Sequence, residues 1–247
     1  MISDDDQKVL IGGNYASYSE VTQHSFVTGR SQLMQVMDND TLFMHADTLY
    51  AIEDTATGNK SYFAYHHVVF FKSNMQGRCD SLSYSNTDTL LRMFNDPVLW
   101  TDSNQITADT IYLQLANERI DKLFMYDKSF IASQEDAERF NQIKGADMIG
   151  LFSDNELKQI TVTGSGQTIY YARDDAKKYI GVNRADCTDM VIYIDSNTVK
   201  RIIMLTKPEA TLYPMNELNT NELLLRGFNW RIADRPKTKY DIFVTEK

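Results

Sequence analysis

Cysteine, proline and glycine are all scarce in this chain, at two, four and 11 of 247 residues. Cys79 and Cys187 belong to no Cys-x-x-Cys pair and have no histidine at ligand spacing, so zinc chemistry lacks a donor set. Basic runs are also missing. With 25 Lys and Arg against 34 Asp and Glu, the net charge of −9 disfavours nucleic-acid binding by phosphate neutralisation. No stretch approaches the roughly 18 apolar residues of a membrane-spanning helix. The opening Met1-Ile2-Ser3-Asp4-Asp5-Asp6 lacks the basic region and apolar core of an export signal. Taken literally, that keeps the chain in the cytoplasm; otherwise it is a fragment begun after such a signal.

What the chain does have is enough apolar character, 43%, to bury a core, together with 14 tyrosines and 12 phenylalanines, which suit strands. A short phrase recurs: Ala46-Asp47-Thr48-Leu49, Cys79-Asp80-Ser81-Leu82, Ala108-Asp109-Thr110-Ile111, Ala146-Asp147-Met148-Ile149 and, more loosely, Cys187-Thr188-Asp189-Met190. Its form is small residue, Asp, variable residue, aliphatic, and the copies lie roughly 30 to 40 residues apart, about two strands and two turns. A degenerate sixth copy is placed at Ala16-Ser17-Tyr18, after Gly12-Gly13. Both cysteines occupy the small position, where they alternate with alanine. They read as buried thiols in preference to a disulfide.

Between the phrases lie apolar runs broken by turn residues, around Asp96-Pro97, Asp127-Lys128, Gly164-Ser165-Gly166 and Lys207-Pro208. Each reads as strand, tight turn or bulge, strand. The apolar phase also shifts within a phrase: Ile106 and Ala108 share one parity, Ile111 and Leu113 the other. A straight strand would send those pairs to opposite faces, so a bend is expected at the Asp, whose carboxylate can accept hydrogen bonds there. Asp47, Asp80, Asp109 and Asp147 are therefore read as structural corners. Helix signals are confined to Gln134–Phe140 and Asn219–Leu225. The result is an all-β chain of short stacked strand repeats.

Motifs for catalysis are weak. Gly164-Ser165-Gly166 has no Lys at phosphate-loop spacing, and no Gly-x-Ser-x-Gly elbow occurs. Neighbouring His66 and His67 would point to opposite faces of a strand and could not readily share a metal. The repeated aspartates are too dispersed for the paired acids of a carbohydrate-cleaving enzyme. No catalytic residue, metal or cofactor is assigned.

The repeated phrase, with Gly13-Asn14-Tyr15-Ala16-Ser17-Tyr18, Met75-Gln76-Gly77-Arg78-Cys79-Asp80-Ser81-Leu82, Pro97-Val98-Leu99-Trp100, Asn104-Gln105-Ile106-Thr107-Ala108-Asp109 and the closing Gly227-Phe228-Asn229-Trp230 with Arg235-Pro236, resembles the OstA-like (organic solvent tolerance) proteins of the Bacteroidetes. The resemblance implies an elongated, half-open β-jellyroll, the β-taco, as one continuous module over residues 8–236 with tails at 1–7 and 237–247. It implies a periplasmic, non-enzymatic part in lipopolysaccharide transport. The partners would be lipid A acyl chains held in an apolar groove, and other transport proteins or further copies joined through edge strands. If inward positions follow the repeat, Met44, Leu49, Leu82, Ile106, Ile111, Ile149 and Met190 line the groove and core, with Phe43, Phe70, Trp100 and Phe130 at its mouth. The alternative from another class is a structural or adhesive β-solenoid without lipid cargo.

Overall fold

The structure, a computed structural model, describes residues 2–4, 8–37, 40–117, 119–153, 156–195, 198–215, 217–219 and 222–243. Cα packing divides the chain into two compact units, one of Met1–Asp102, Thr110–Arg119 and Ile232–Lys247, the other of Ser103–Asp109 and Ile120–Arg231.

In chain order the first strands are β1 (Ile2–Asp4), β2 (Val9–Gly12), β3 (Tyr15–Ser19), β4 (His24–Val36), β5 (Thr41–Glu53), β6 (Lys60–Lys72), β7 (Met75–Ser85), β8 (Leu90–Phe94) and β9 (Val98–Thr101). Next come β10 (Asn104–Thr107), β11 (Thr110–Ala116), β12 (Arg119–Tyr126), β13 (Phe130–Gln134), β14 (Phe140–Lys144), β15 (Asp147–Ser153) and β16 (Glu156–Thr163). The last are β17 (Gly166–Arg173), β18 (Tyr179–Cys187), β19 (Met190–Asp195), β20 (Thr198–Met204) and β21 (Glu209–Tyr213). The only helical turns among the described residues are the short 3-10 pieces Ile232–Asp234 and Asp241–Phe243. The fold is all-β, as expected, and its strand pairing is antiparallel.

In the first unit, the long strands β4 to β7 each contribute to two ladders. One ladder runs through β3, residues 24–28 of β4, 48–53 of β5, 60–65 of β6 and 81–85 of β7, then β8 and β11. The other runs through β2, residues 32–35 of β4, 43–45 of β5, 69–71 of β6 and 76–78 of β7, then β9. We call them the front and back half-sheets. The strands pass from one to the other where the register shifts, between Thr28 and Ser31, His45 and Thr48, and Tyr65 and Val68. In the second unit the half-sheets consist of separate strands, β12-β15-β16-β19-β20 in front and β10-β13-β14-β17-β18-β21 behind. These ladders are open: β20 pairs with β19 and β21 with β18, and neither ladder closes on itself.

Two kinds of corner alternate at the bends. One kind carries the repeated phrase. The other has consecutive residues with positive φ: Gly29-Arg30, His66-His67 and Asn95-Asp96 in the first unit, and Asp127-Lys128 and Gly164-Ser165 in the second. Left-handed backbone costs an L-residue about 1–2 kcal/mol, so these pairs need support from neighbours. Aspartates of the phrase supply it at His66-His67, Asp127-Lys128 and Gly164-Ser165. His67 Nδ1 lies 2.8 Å from Asp47, His66 Nδ1 3.1 Å from Asp80, and Lys128 Nζ 2.9 Å from Asp109. Asp147 and Asp189 instead accept from the backbone N–H of Asp127, at 3.0 Å, and of Gly164, at 3.1 Å. Because His66 and His67 sit at a bend with both side chains exposed, strand alternation does not apply to them.

Several sequence expectations are corrected here. Gln134–Phe140 is no helix: Asp136 accepts from the backbone of Glu138 and Arg139 at 3.0 and 2.9 Å, an Asx turn that returns β13 into β14. The described residues of the second predicted helix are not helical: 222 and 223 lie in a turn and 224 in a bend, with 220 and 221 outside the described residues. In the degenerate sixth copy Gly13, Asn14 and Ala16 are all exposed, and Gly13 makes the close approach at the bend. A Cβ at Gly13 would meet Val27 Cγ1 at 2.6 Å, and Asn14 N donates to Gly29 O at 2.8 Å.

Candidate functional site

Cross-strand rows of inward side chains, built by the period-two alternation of the strands, make the interior of each unit. In the front half-sheet of the first unit, register aligns Val27, Leu49, Ala64, Leu82, Met93 and Ile111, every one of them buried. Behind them run Leu33, Met44, Phe70, Gly77 and Leu99. Gly77 is required there: an added Cβ would lie 2.2 Å from Phe70 Cζ.

In the second unit the front row is Met125, Met148, Val162, Met190 and Met204. The back row is Ile106, Ile131, Ile143, Thr168, Ala185 and Ala210. The two rows face each other across the interior, since a Cβ on Gly166 would reach Met190 Cε at 2.7 Å and one on Gly145 would reach Val162 Cγ1 at 2.3 Å.

Of the expected interior residues, Met44, Leu49, Leu82, Ile106, Ile111 and Met190 are buried in these rows, whereas Ile149 is 40% exposed. Met148 holds the inward place. Buried Gly145, not exposed Ala146, is the small residue of that copy, which reads Gly145-Ala146-Asp147-Met148 and matches Cys187-Thr188-Asp189-Met190. The constant is the three-residue step from inward small residue to inward aliphatic. The Asp sits one or two residues into that step.

The four aromatics expected at a mouth go elsewhere. Phe70 is buried in the inward row. Phe43 and Trp100 have the opposite parity to inward Met44 and Leu99, so they lie on the outer face of the back half-sheet; Phe130, opposite in parity to Ile131, does likewise in the second unit. Segments from the C-terminal part of the chain cover both outer faces. In the second unit, Leu225, Phe228, Trp230 and Met215 pack on Phe130, Ala132, Ile169, Tyr171 and Val182. In the first, Ile242 is fully buried and Phe243 packs against His45, ring centroids 5.0 Å apart.

Sequence reasoning missed the groups that hold these segments, the buried amides of Gln76, Gln105 and Gln142. Gln142 donates to Leu223 O at 2.9 Å and accepts from Leu225 N at 2.8 Å. Gln105 donates to Asn229 O and accepts from Arg231 N, both at 2.6 Å. Gln76 accepts from Arg235 Nε at 2.7 Å. Each glutamine directly precedes an inward Gly77, Ile106 or Ile143, so an uncharged amide on the outer parity of an apolar strand was the available signal.

No family model matches the chain, and no curated protein matches it. Among solved structures, the chain is similar to LptH, described as the LptA homologous periplasmic component of the conserved lipopolysaccharide transport device from Pseudomonas aeruginosa. The TM-score is 0.41 at 10% identity, over 49% of this chain and 85% of that one.

The electrostatics of the interior suit an inert lining. Burial pushes the Cys79 thiol up to about 12, and the same cause raises that of Cys187; both are free thiols. Among the described residues, no group of His, Cys, Asp and Glu is arranged to hold a metal ion. The perturbed carboxyl groups lie outside this lining: the Ser81 hydroxyl, then His66, hold Asp80 below its ordinary value. The apolar rows can therefore exclude water and pack against hydrocarbon, and they present no paired acid and base to a substrate.

Proposed function

We propose that the chain is a non-enzymatic lipopolysaccharide-transport module of the periplasm, a single module over residues 8–236 whose interior shields lipid A acyl chains. Its open edge strands would join other transport proteins or further copies by strand addition. The observation that carries this reading is the run of inward apolar side chains across successive strands, perpendicular to their length. An acyl chain leaving a membrane exposes apolar surface at a cost of about 0.8 kcal/mol per CH₂, so its carrier needs an apolar lining along the whole path. Methionine is prominent in that lining, with Met44, Met93, Met125, Met148 and Met190 all buried. Unbranched, polarizable thioethers adapt to chains of different length and packing. The aspartates of the phrase serve as corner residues in this reading. The resemblance to the OstA-like proteins supports the cargo and the compartment.

A second reading, a β-scaffold without cargo, draws support from the closure of the same rows, since Met93, Ile111, Met125 and Met190 are fully buried. The two differ in what reaches the interior. A photo-crosslinking residue at Leu82 or Ile106 is expected to capture lipopolysaccharide in cells. Labelling confined to outward positions such as Tyr65, or unchanged surface lipopolysaccharide after depletion of the protein, would favour the scaffold.

A further inference from the structure

The back row of the second unit contains one residue that breaks its chemistry. Thr168 on β17 stands in register with Ile143 of β14 and Ala185 of β18, and Ile131 and Ile106 continue the row. Its side chain points into the interior, because Gly166, two residues earlier on the same face, abuts Met190 of the front half-sheet. Thr168 is 1% exposed, and its hydroxyl has no hydrogen-bond partner. Buried polar groups are almost always paired, and an unpaired one destabilises the chain that carries it. Valine has the same shape and would fill the position without that penalty. The other buried hydroxyls in such places have structural work: Ser31 and Ser129 each donate to a backbone carbonyl, that of Ala46 and of Ala146, at 2.5 and 2.9 Å.

We propose that Thr168 is a polar station within the apolar interior of the second unit, and that it selects acyl chains bearing a hydroxyl group. This rests on the lipid-carrier reading above. A threonine hydroxyl offers one donor and two acceptor sites, and an alcohol on the cargo offers the same set, so the two satisfy each other in either direction. A plain hydrocarbon chain occupying this interior leaves the Thr168 hydroxyl unpaired. The hydroxyl is unpaired in the lipid-free chain as well, so selectivity arises from the bond gained in the hydroxylated complex.

The test uses the full chain and Thr168→Val and Thr168→Ser variants. The probes are octadecanoic acid and octadecanoic acids hydroxylated at carbon 3, 8 or 12, titrated calorimetrically below their micellar concentrations. Wild type is expected to prefer at least one hydroxylated probe over the plain chain by about 5–10-fold, the worth of one neutral hydrogen bond in a dry site. Thr168→Val should abolish that preference and raise the melting midpoint of the lipid-free chain. Thr168→Ser should keep the preference. Equal binding of all probes by wild type and Thr168→Val would overturn the proposal and leave the carrier reading intact. Failure of every probe to bind wild type would overturn both.

Discussion

Replacing Gly77 by alanine tests whether the inward rows are packed as described. The added methyl would sit 2.2 Å from Phe70 Cζ and 2.4 Å from Cε1, and the Phe70 ring is 1% exposed. Relieving that overlap requires the ring or β7 to move by roughly 1 Å inside a close-packed interior, a change that costs about 3 kcal/mol. For a chain of this size that corresponds to a fall of about 6–12 °C in melting midpoint. The cause can be isolated with Phe70→Leu, which removes the clashing ring edge and alone should cost about 1–2 kcal/mol through lost packing. In the double variant the two costs should not add, because the leucine vacates the space the methyl needs. The expected coupling is about 2 kcal/mol in favour of the pair. Urea unfolding followed by circular dichroism gives the free energies. Fluorescence of Trp100, on β9 beside Gln76, reports the same region. Additive costs to within ~0.5 kcal/mol, or a harmless Gly77→Ala, would refute the inward placement of Phe70 over Gly77.

The register of β15 can be tested by contrast: Met148→Asp should destabilise by several kcal/mol or prevent folding, because it buries a charge, while Ile149→Asp should cost less than about 1 kcal/mol. The reverse order in thermal melts would restore the parity that the sequence suggested. Cys79, its thiol raised to about 12 by burial, should resist alkylation at pH 8 until the chain unfolds; rapid labelling of the native protein would contradict its burial. Asp80 has a folded pKa below its ordinary value of 3.8, through the Ser81 hydroxyl and then His66. A depressed carboxyl contributes stability above the unfolded pKa and loses it as pH falls through the folded one. Asp80→Asn should thus be less stable than wild type at pH 6 and converge with it toward pH 2; a constant gap in urea midpoints would argue against the corner hydrogen bonds as its cause.

Much of the β architecture is legible in the residues because the strand period is two. The change of parity between Ile106-Ala108 and Ile111-Leu113 implies a bend, and the strands do turn there. The errors come from the same rule, which one residue inverts. In the copy at Gly145 the Asp lies two residues past the inward small residue instead of one, so counting from Ala146 turns the row inside out at Ile149. Phe43, Trp100 and Phe130 each neighbour an inward residue and thus belong to the outer face. Nothing local in the sequence says that residues more than 80 positions away, such as Leu225 and Phe228, cover that face. At Gln134–Phe140 helix-forming composition gives way to an Asx turn, because the Asp136 carboxylate satisfies the same backbone donors at a hairpin.

The two corner types also explain why a recurring acid accompanies an apolar interior. At the corners without the phrase, a strand passes between half-sheets through left-handed backbone that ordinary strand residues do not adopt, and pairs such as His66-His67 are supported there by carboxylates from adjacent strands. Those carboxylates point outward while the small residue one or two positions before them points inward, so each phrase serves two faces at once. The small side chain leaves room at the bend, and the aliphatic residue three positions later resumes the apolar row. Chemistry at the corner is consequently separable from chemistry in the interior: Asp47 contacts His67 at the surface, whereas Leu49, two residues later, is buried in the row. Corner residues can then diverge in how they support the bend, through histidine at Asp47 and Asp80, lysine at Asp109 and backbone N–H at Asp147 and Asp189, without altering what the interior presents to a ligand. A polar exception inside, as at Thr168, is for the same reason unconnected with the corners and calls for an explanation within the interior itself.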